Sequence, residues 1–242
     1  MSIDPARMKH PDAAQVAAYY DGHAAKVQRR VGVNQRHRGI LQRLERSGLR
    51  PYHRVLEIGC GIGTLTTLLS KALPKGHVHA ADISPSAITM ARSSLSHTKN
   101  VEFMVSDMSE MSWARMYDRI VLPDVLEHIP EEQHQQLFGL LAAHLVPEGR
   151  VCINIPDPEA LDHLRRTDPG QLQIIDQSLA ILPMAQRFAQ HGLVLDHYGP
   201  YRIWANEPDY VWIEFRRPDP QAQRKPMPFL RRAMRELLSR LS

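Results

Sequence analysis

Two hydrophobic rhythms alternate along this chain. Short apolar, β-branched runs occupy residues 55–58, 77–81, 101–105, 117–122 and 151–155. Their length and composition predict buried strands. Between them, apolar positions recur every three or four residues, as in Leu65, Leu68, Leu69 and Ala72. That spacing predicts helices. One helix opens at Ser84-Pro85-Ser86, with serine at the cap and proline in the first turn, and runs to about Leu95. Another opens at Pro130-Glu131-Glu132 and runs to about Leu145, after which Gly149-Arg150 turns the chain into a strand. Strand and helix in strict alternation predict a doubly wound α/β fold, mostly parallel, with helices on both faces.

Beyond residue 155 the rhythm breaks. Pro156, Pro158, Pro169 and Gly170 punctuate a polar stretch with a short helix at 158–166, and a further helix covers 183–190. Two β-rich runs, 193–201 and 210–217, flank Ala205-Asn206-Glu207-Pro208-Asp209. That arrangement predicts a terminal antiparallel hairpin and a seven-stranded sheet. Upstream, residues 13–44 are helical in pattern but broken near Gly22 and Gly32, and residues 1–12 are polar and read as disordered. The chain therefore divides into a helical segment (1–50), a core (51–217) and a tail (218–242). The tail starts as a Pro-rich linker. It continues as an amphipathic helix, with Phe229, Leu230, Ala233, Met234, Leu237, Leu238 and Leu241 on one stripe. Arg231, Arg232, Arg235 and Arg240 lie mainly on the other face. Such a stripe calls for its own domain, a second subunit in a dimer, or peripheral contact with a membrane surface.

Composition narrows the class. With 242 residues, 43% of them hydrophobic, the chain is long enough for one sizeable core. No run reaches the roughly 18 apolar residues of a membrane span. Residues 1–5 lack the features of a signal peptide. Two cysteines, Cys60 and Cys152, make no disulfide framework and read as buried fillers, which fits a reducing cytoplasm. The net charge of +4 is partitioned unevenly. Residues 1–50 hold 10 Lys/Arg against 4 Asp/Glu, and residues 216–242 hold 8 against 2. The intervening 51–215 hold 12 against 20, so the core is acidic and suits a cationic ligand.

The candidate chemistry begins at the first strand, Val55-Leu56-Glu57-Ile58-Gly59-Cys60-Gly61-Ile62-Gly63-Thr64. A strand, a glycine turn and a helix present free N–H groups and a positive dipole end to a bound nucleotide or nucleoside. The pattern is Glu-x-Gly-x-Gly-x-Gly rather than the dinucleotide G-x-G-x-x-G, and Glu57 favours a ligand with an ammonium or sulfonium group over a pyrophosphate. This stretch resembles motif I of the class I S-adenosylmethionine-dependent methyltransferases, with a likeness running from about residue 55 to 155 and more loosely to 217.

That resemblance implies S-adenosylmethionine as cofactor, held by Glu57, Gly59, Cys60, Gly61 and Gly63 of the turn. Asp82, nineteen residues past Gly63, is placed for the ribose hydroxyls, with Ile83 beside it. Its bland reading is a carboxylate at a helix N-terminus. After the third strand, Asp107 is implied as acceptor for the adenine amine, and Met108 lies against the ring. Pro123-Asp124-Val125-Leu126-Glu127-His128 closes the fourth strand, where the family places the transferable methyl. Pro123 is implied in cofactor binding, while Asp124 and His128 are the catalytic candidates. His128 is the candidate general base, with packing below the cofactor as its alternative.

Asp124-x-x-Glu127-His128 also resembles the Glu-x-x-Glu-His that holds a divalent ion in some quinone and small-RNA methyltransferases. The shorter Asp arm and the lack of an evident fourth ligand leave this reading without a metal. The run departs from the Asn/Asp-Pro-Pro-Tyr/Phe pattern of nucleobase amino-methyltransferases, which speaks against DNA. The acidic core, with no appended RNA-binding module, speaks against RNA. By the resemblance, residues 1–50 form a lid, and Tyr19, Tyr20, His37 and Arg38 are offered to the acceptor. The leading expectation is methyl transfer to O, N or C of a small-molecule or lipid-like acceptor. The alternatives are an RNA methyltransferase and a non-catalytic S-adenosylmethionine-binding scaffold.

Overall fold

A computed structural model describes residues 11–27, 32–110 and 113–219. The helix expected at 229–241, and residues 1–10 of the segment read as disordered, lie outside the described residues. The described chain runs α1 (Ala13–Val27), α2 (Gln35–Arg46), β1 (Arg54–Ile58), α3 (Thr64–Ala72), β2 (His77–Asp82), α4 (Pro85–Ser94), β3 (Val101–Val105) and β4 (Tyr117–Pro123). It continues with α5 (Glu131–Ala143), β5 (Leu145–Pro156), α6 (Pro158–Thr167), α7 (Ile181–Gln190), β6 (Val194–Tyr201) and β7 (Tyr210–Arg216).

The seven strands form one sheet in the order β3-β2-β1-β4-β5-β7-β6. The first five are parallel, and β7 pairs antiparallel with both β5 and β6. The order reverses between β1 and β4, which opens a crevice at their carboxyl ends.

Strand alternation divides the core between the two faces of the sheet. Val55 points into a cluster with Ile40, Leu44, Leu69 and Ile88, under α2, α3 and α4. Leu56 and Ile58 point into the other cluster, with Phe138, Phe188 and Phe215 under α5 and α7. There Phe188 stacks between Phe138 and Phe215, with centroids 3.8 and 4.0 Å away.

Three details differ from the sequence pattern. α1 runs unbroken through Gly22. Ile40 and Leu44 of α2 are fully buried in the same cluster as Val55, so α2 shares the core of the sheet instead of forming one unit with α1. β5 starts at Leu145, paired with Tyr117, and resumes at Arg150 opposite Arg119 after a bulge. A Cβ on Gly149 would lie 2.7 Å from the Leu145 side chain, so the bulge closes only on glycine. Both cysteines are free and buried, as expected. Among the described residues no helix is long and apolar enough to cross a membrane.

Candidate active site

The glycine turn joins β1 to α3. Gly59, Gly61 and Gly63 all take positive φ, of 76°, 53° and 83°. A Cβ on Gly59 would lie 2.1 Å from Val125 Cγ2, and one on Gly63 would press on Ala91 and Leu95 at 3.2 and 3.1 Å. Those two glycines let neighbouring elements approach. Gly61 instead faces open space, the position where a ligand passes over bare backbone. Asp82, at the end of β2, clamps this turn: its Oδ2 accepts from Gly61 N–H at 2.7 Å and its Oδ1 from Ser84 N–H at 2.9 Å. Burial raises the Asp82 carboxyl, and these N–H bonds oppose the rise.

A cavity of about 330 Å³ lies above the turn. Gly59, Gly61, Asp82 and Ile83 form one side of it, Asp107 and Met108 another, and Pro123, Asp124 and His128 the end of β4. Met108 holds φ at 61°, rare for a side chain of its size, with its N–H donating to Ser106 Oγ at 3.0 Å. Asp107 Oδ1 accepts from Ser109 N–H at 2.9 Å, which keeps its carboxyl below the usual range. α1 covers the cavity with Val16 and Tyr20. It is fastened there by Asp21, whose Oδ1 accepts from Ser84 Oγ at 2.5 Å and from Ser86 N–H at 3.1 Å.

Three residues expected at the cofactor lie elsewhere. Glu57 is fully buried, and its Oε2 accepts from Thr66 Oγ1 of α3 at 2.7 Å. Burial pushes its carboxyl up to about 8. Glu57 thus props the turn from below and does not face the cavity. Cys60 sits in the core cluster, its thiol pushed up by burial. Gly63 serves helix packing. Each points to the side of the turn that α3 and α4 cover.

Past β4 the chain makes a tight turn and a 3₁₀ helix over Leu126–His128. Asp124 adopts φ 54°, a conformation that Asp tolerates better than most side chains. Its Oδ2 pairs with Arg36 Nη1 of α2 at 2.7 Å, and the Tyr210 and Asn154 side chains also stabilise the carboxylate. Burial raises the Asp124 carboxyl and Arg36 opposes that rise. Glu127 is 1% exposed, and neither of its oxygens has a hydrogen-bond partner among the described residues. Its carboxyl is pushed up to about 8 by burial.

His128 Nδ1 donates to Ile175 O at 2.6 Å and lies 3.2 Å from Asp176 Oδ1. Its Nε2 is 3.7 Å from Glu127 Oε1 and 3.2 Å from the Gln173 amide. Burial alone would lower its pKa; Glu127 and Asp176 outweigh burial and raise it to about 9. These acidic neighbours favour the protonated ring, which weighs against His128 as a general base.

A second, larger chamber of about 1250 Å³ adjoins the first, between the end of β4, α6, residues 171–181 and the β6–β7 loop. Arg36, Asp124, His128 and Gln173 line both spaces. Sequence reasoning missed Arg36, Gln173, Asp176 and Tyr210 here, and it proposed His37 and Arg38 from α2 instead. His37 closes the helix cap, donating its N–H to Asn34 Oδ1 at 3.2 Å, and Arg38 is exposed. The missed signal was periodicity: Arg36, Ile40 and Leu44 share one helical face.

Comparison with known proteins agrees with this geometry. Residues 55–149 match the family model described as a methyltransferase domain. Trans-aconitate 2-methyltransferase of Escherichia coli is 30% identical over 123 residues, covering 51% of this chain and 47% of that protein. The malonyl-[acyl-carrier protein] O-methyltransferase of Bacillus cereus is 34% identical over 96 residues, 40% of this chain and 35% of that protein. In each case the match spans half or less of the curated relative's length. Among solved structures, magnesium protoporphyrin IX methyltransferase from Synechocystis PCC 6803, crystallised with S-adenosylhomocysteine (SAH), superposes with a TM-score of 0.66 at 20% identity. That superposition covers 86% of this chain and 100% of that one, and it shows a shared fold. Residues 55–149 thus match a methyltransferase domain, and the sheet order and glycine turn agree with the fold of the solved S-adenosylmethionine-dependent methyltransferases.

Proposed function

We propose that this chain binds S-adenosylmethionine in the cavity above Gly61 and transfers its methyl group to a small molecule held in the adjoining chamber. The carrying observation is that the two spaces share Arg36, Asp124, His128 and Gln173, so donor and acceptor meet at the end of β4. The residues fit the cofactor. Asp82 uses one lone pair on each oxygen for the turn and keeps others for ribose hydroxyls. Asp107 suits the adenine amine, and the Met108 thioether suits the ring face. When bound, the cofactor supplies a methyl already activated by its sulfonium. What remains for the protein is alignment and the exclusion of water.

α1 acts as the lid over that cavity through Val16 and Tyr20. His128 acts as a positioning cation in this scheme, in place of the base expected from sequence. Its Nδ1 seats residues 175–176 against the end of β4, and Gln177 reinforces the seam by donating its N–H to Glu127 O at 3.0 Å. The acceptors of the curated relatives make a small molecule the leading class for this chain as well.

Titration calorimetry with S-adenosylmethionine, SAH and NADH tests the cofactor. Binding of the first two and not the third is expected, and Asp82→Ala should weaken it by about 1–3 kcal/mol, the cost of unpaired polar groups. Binding of NADH alone would refute the reading. For His128, His128→Gln should lower turnover while cofactor affinity stays within a few-fold. A pH–rate step that disappears in this variant would restore the base role.

A further inference from the structure

We infer that the acceptor is an amine that arrives as an ammonium ion, and that Glu127 receives it and takes its proton. This rests on the cofactor reading above.

The wall of the larger chamber is mostly acidic: among the described residues it carries seven carboxylate side chains against Arg36 and His128, both of which are already paired with carboxylates. Arg36 is committed to Asp124 at 2.7 Å and Tyr210 Oη at 3.4 Å, so it is not available to grip an acceptor carboxylate. An anionic acceptor would meet charge of its own sign.

The carboxylates differ in what they already hold. Asp157 Oδ1 accepts from the N–H groups of Glu159 and Ala160 at the start of α6. Asp209 accepts from Ile203 and Trp204 N–H at 2.7 and 2.8 Å. Asp176 accepts from Gln173 N–H at 2.6 Å and faces His128. Glu127 is the exception: beyond its 3.7 Å ion pair with His128, it is buried with no hydrogen-bond partner for either oxygen among the described residues. Buried polar atoms are rarely left this way, since each costs the full desolvation of its lone pairs. The missing partner must be a donor, must be compatible with negative charge, and must come from the chamber. An ammonium group, with three N–H donors and a positive charge, meets all three conditions. Trp204 and Tyr198 line the same chamber and are 61% and 40% exposed, and aromatic faces of this kind attract organic cations.

The step balances with these groups alone. The ammonium gives one proton to the Glu127 carboxylate and becomes a neutral amine. Its nitrogen lone pair forms the bond to the methyl carbon as the carbon–sulfur bond breaks, and that electron pair stays on sulfur. The product is a methylated ammonium and neutral SAH, and the proton on Glu127 passes to solvent. Glu127 faces His128, Asp124 and Asp176 as its charged neighbours, and burial raises its carboxyl towards the range of a useful base.

Calorimetry on the complex with SAH tests the inference with three probes: phenethylamine, its neutral isostere 2-phenylethanol, and trans-aconitate. Phenethylamine should bind at least tenfold more tightly than either of the others. Glu127→Gln should remove that preference while SAH affinity stays within twofold. Failure of SAH to bind would count against the cofactor reading. Retained SAH binding together with tighter trans-aconitate binding, or an amine preference that survives Glu127→Gln, would overturn the inference. If Glu127→Gln does not fold, Glu207→Gln on the exposed wall should weaken phenethylamine two- to threefold, and no change would refute it. Repeating the titration after dialysis against a chelator should give the same amine affinity. Binding of Mg²⁺ that depends on Glu127, with no amine binding, would assign the carboxylates to a metal and overturn the inference.

Discussion

Arg36 and Asp124 connect the two ligand spaces. Their ion pair is 2.7 Å long, with side chains 28% and 15% exposed, so removing one partner strands a largely buried charge. Arg36→Met should therefore cost about 2–4 kcal/mol, less than for a fully enclosed pair. Adding Asp124→Asn should recover much of that loss, since Asn tolerates the positive φ of this position and carries no charge. Urea denaturation of the two variants measures this. Equal stability of single and double variants would mean that the pair does not matter to the fold. Asp82, Asp107 and Asp124 could be named from the sequence because strand ends are where parallel sheets bind ligands. Arg36 was readable in principle from its spacing with Ile40 and Leu44, but an arginine on an apolar face looks like an error in the pattern until its partner is seen.

At the level of elements, Asp21 fastens α1 over the cofactor cavity to the N-terminus of α4. Asp21 bonds Ser84 Oγ and Ser86 N–H, and helix dipole and capping geometry both favour an anion there. Asp21→Ala should raise hydrogen exchange across 13–27 and weaken S-adenosylmethionine roughly three- to tenfold, with little change in thermal stability. Saturating SAH should restore most of the protection. Unchanged exchange would show that α1 is held by its other contacts alone. The helix was legible in outline, but its Gly22 suggested a break. A glycine lowers helix propensity by only about 1 kcal/mol, which packing against α4 offsets.

For the whole molecule, the shifted groups set a pH window. Glu57 is raised from 4.5 to about 8, Glu127 from 4.5 to about 8, and His128 from 6.5 to about 9. All three hold their protons more tightly when folded, so the stability they contribute is full below the unfolded values and is lost as pH rises through the folded ones. His37 and His79 are shifted the other way, from 6.5 to about 4, chiefly by burial. Their contribution is full above 6.5 and is lost as pH falls towards 4. Between about pH 4.5 and 6.5 the glutamate losses and the histidine gains offset each other, so stability should be greatest across that range and decline on both sides. Glu57→Gln keeps the Thr66 hydrogen bond and removes one titration, so the decline between about pH 6.5 and 8 should become shallower by up to about 1.4 kcal/mol per pH unit. An unaltered slope would show that Glu57 is ionised in the folded chain.

The strand–turn–helix order, the terminal hairpin, the glycine turn and the acidic strand ends were all determined by the sequence itself. Each rests on a period, a cap or a backbone requirement that spans only a few residues. Tertiary structure decided which side of the turn each residue serves. Glu57 reads from sequence as a cofactor contact, yet α3 covers its face of the strand and Thr66 claims it. Tertiary structure also decided the surroundings of His128. Residues 173–176 reach it from some 45 positions away and place Ile175 O and Asp176 beside its ring, which favours the protonated form. Neither outcome is written in the local pattern. Burial and electrostatic environment depend on segments brought together only by the crossovers of the sheet.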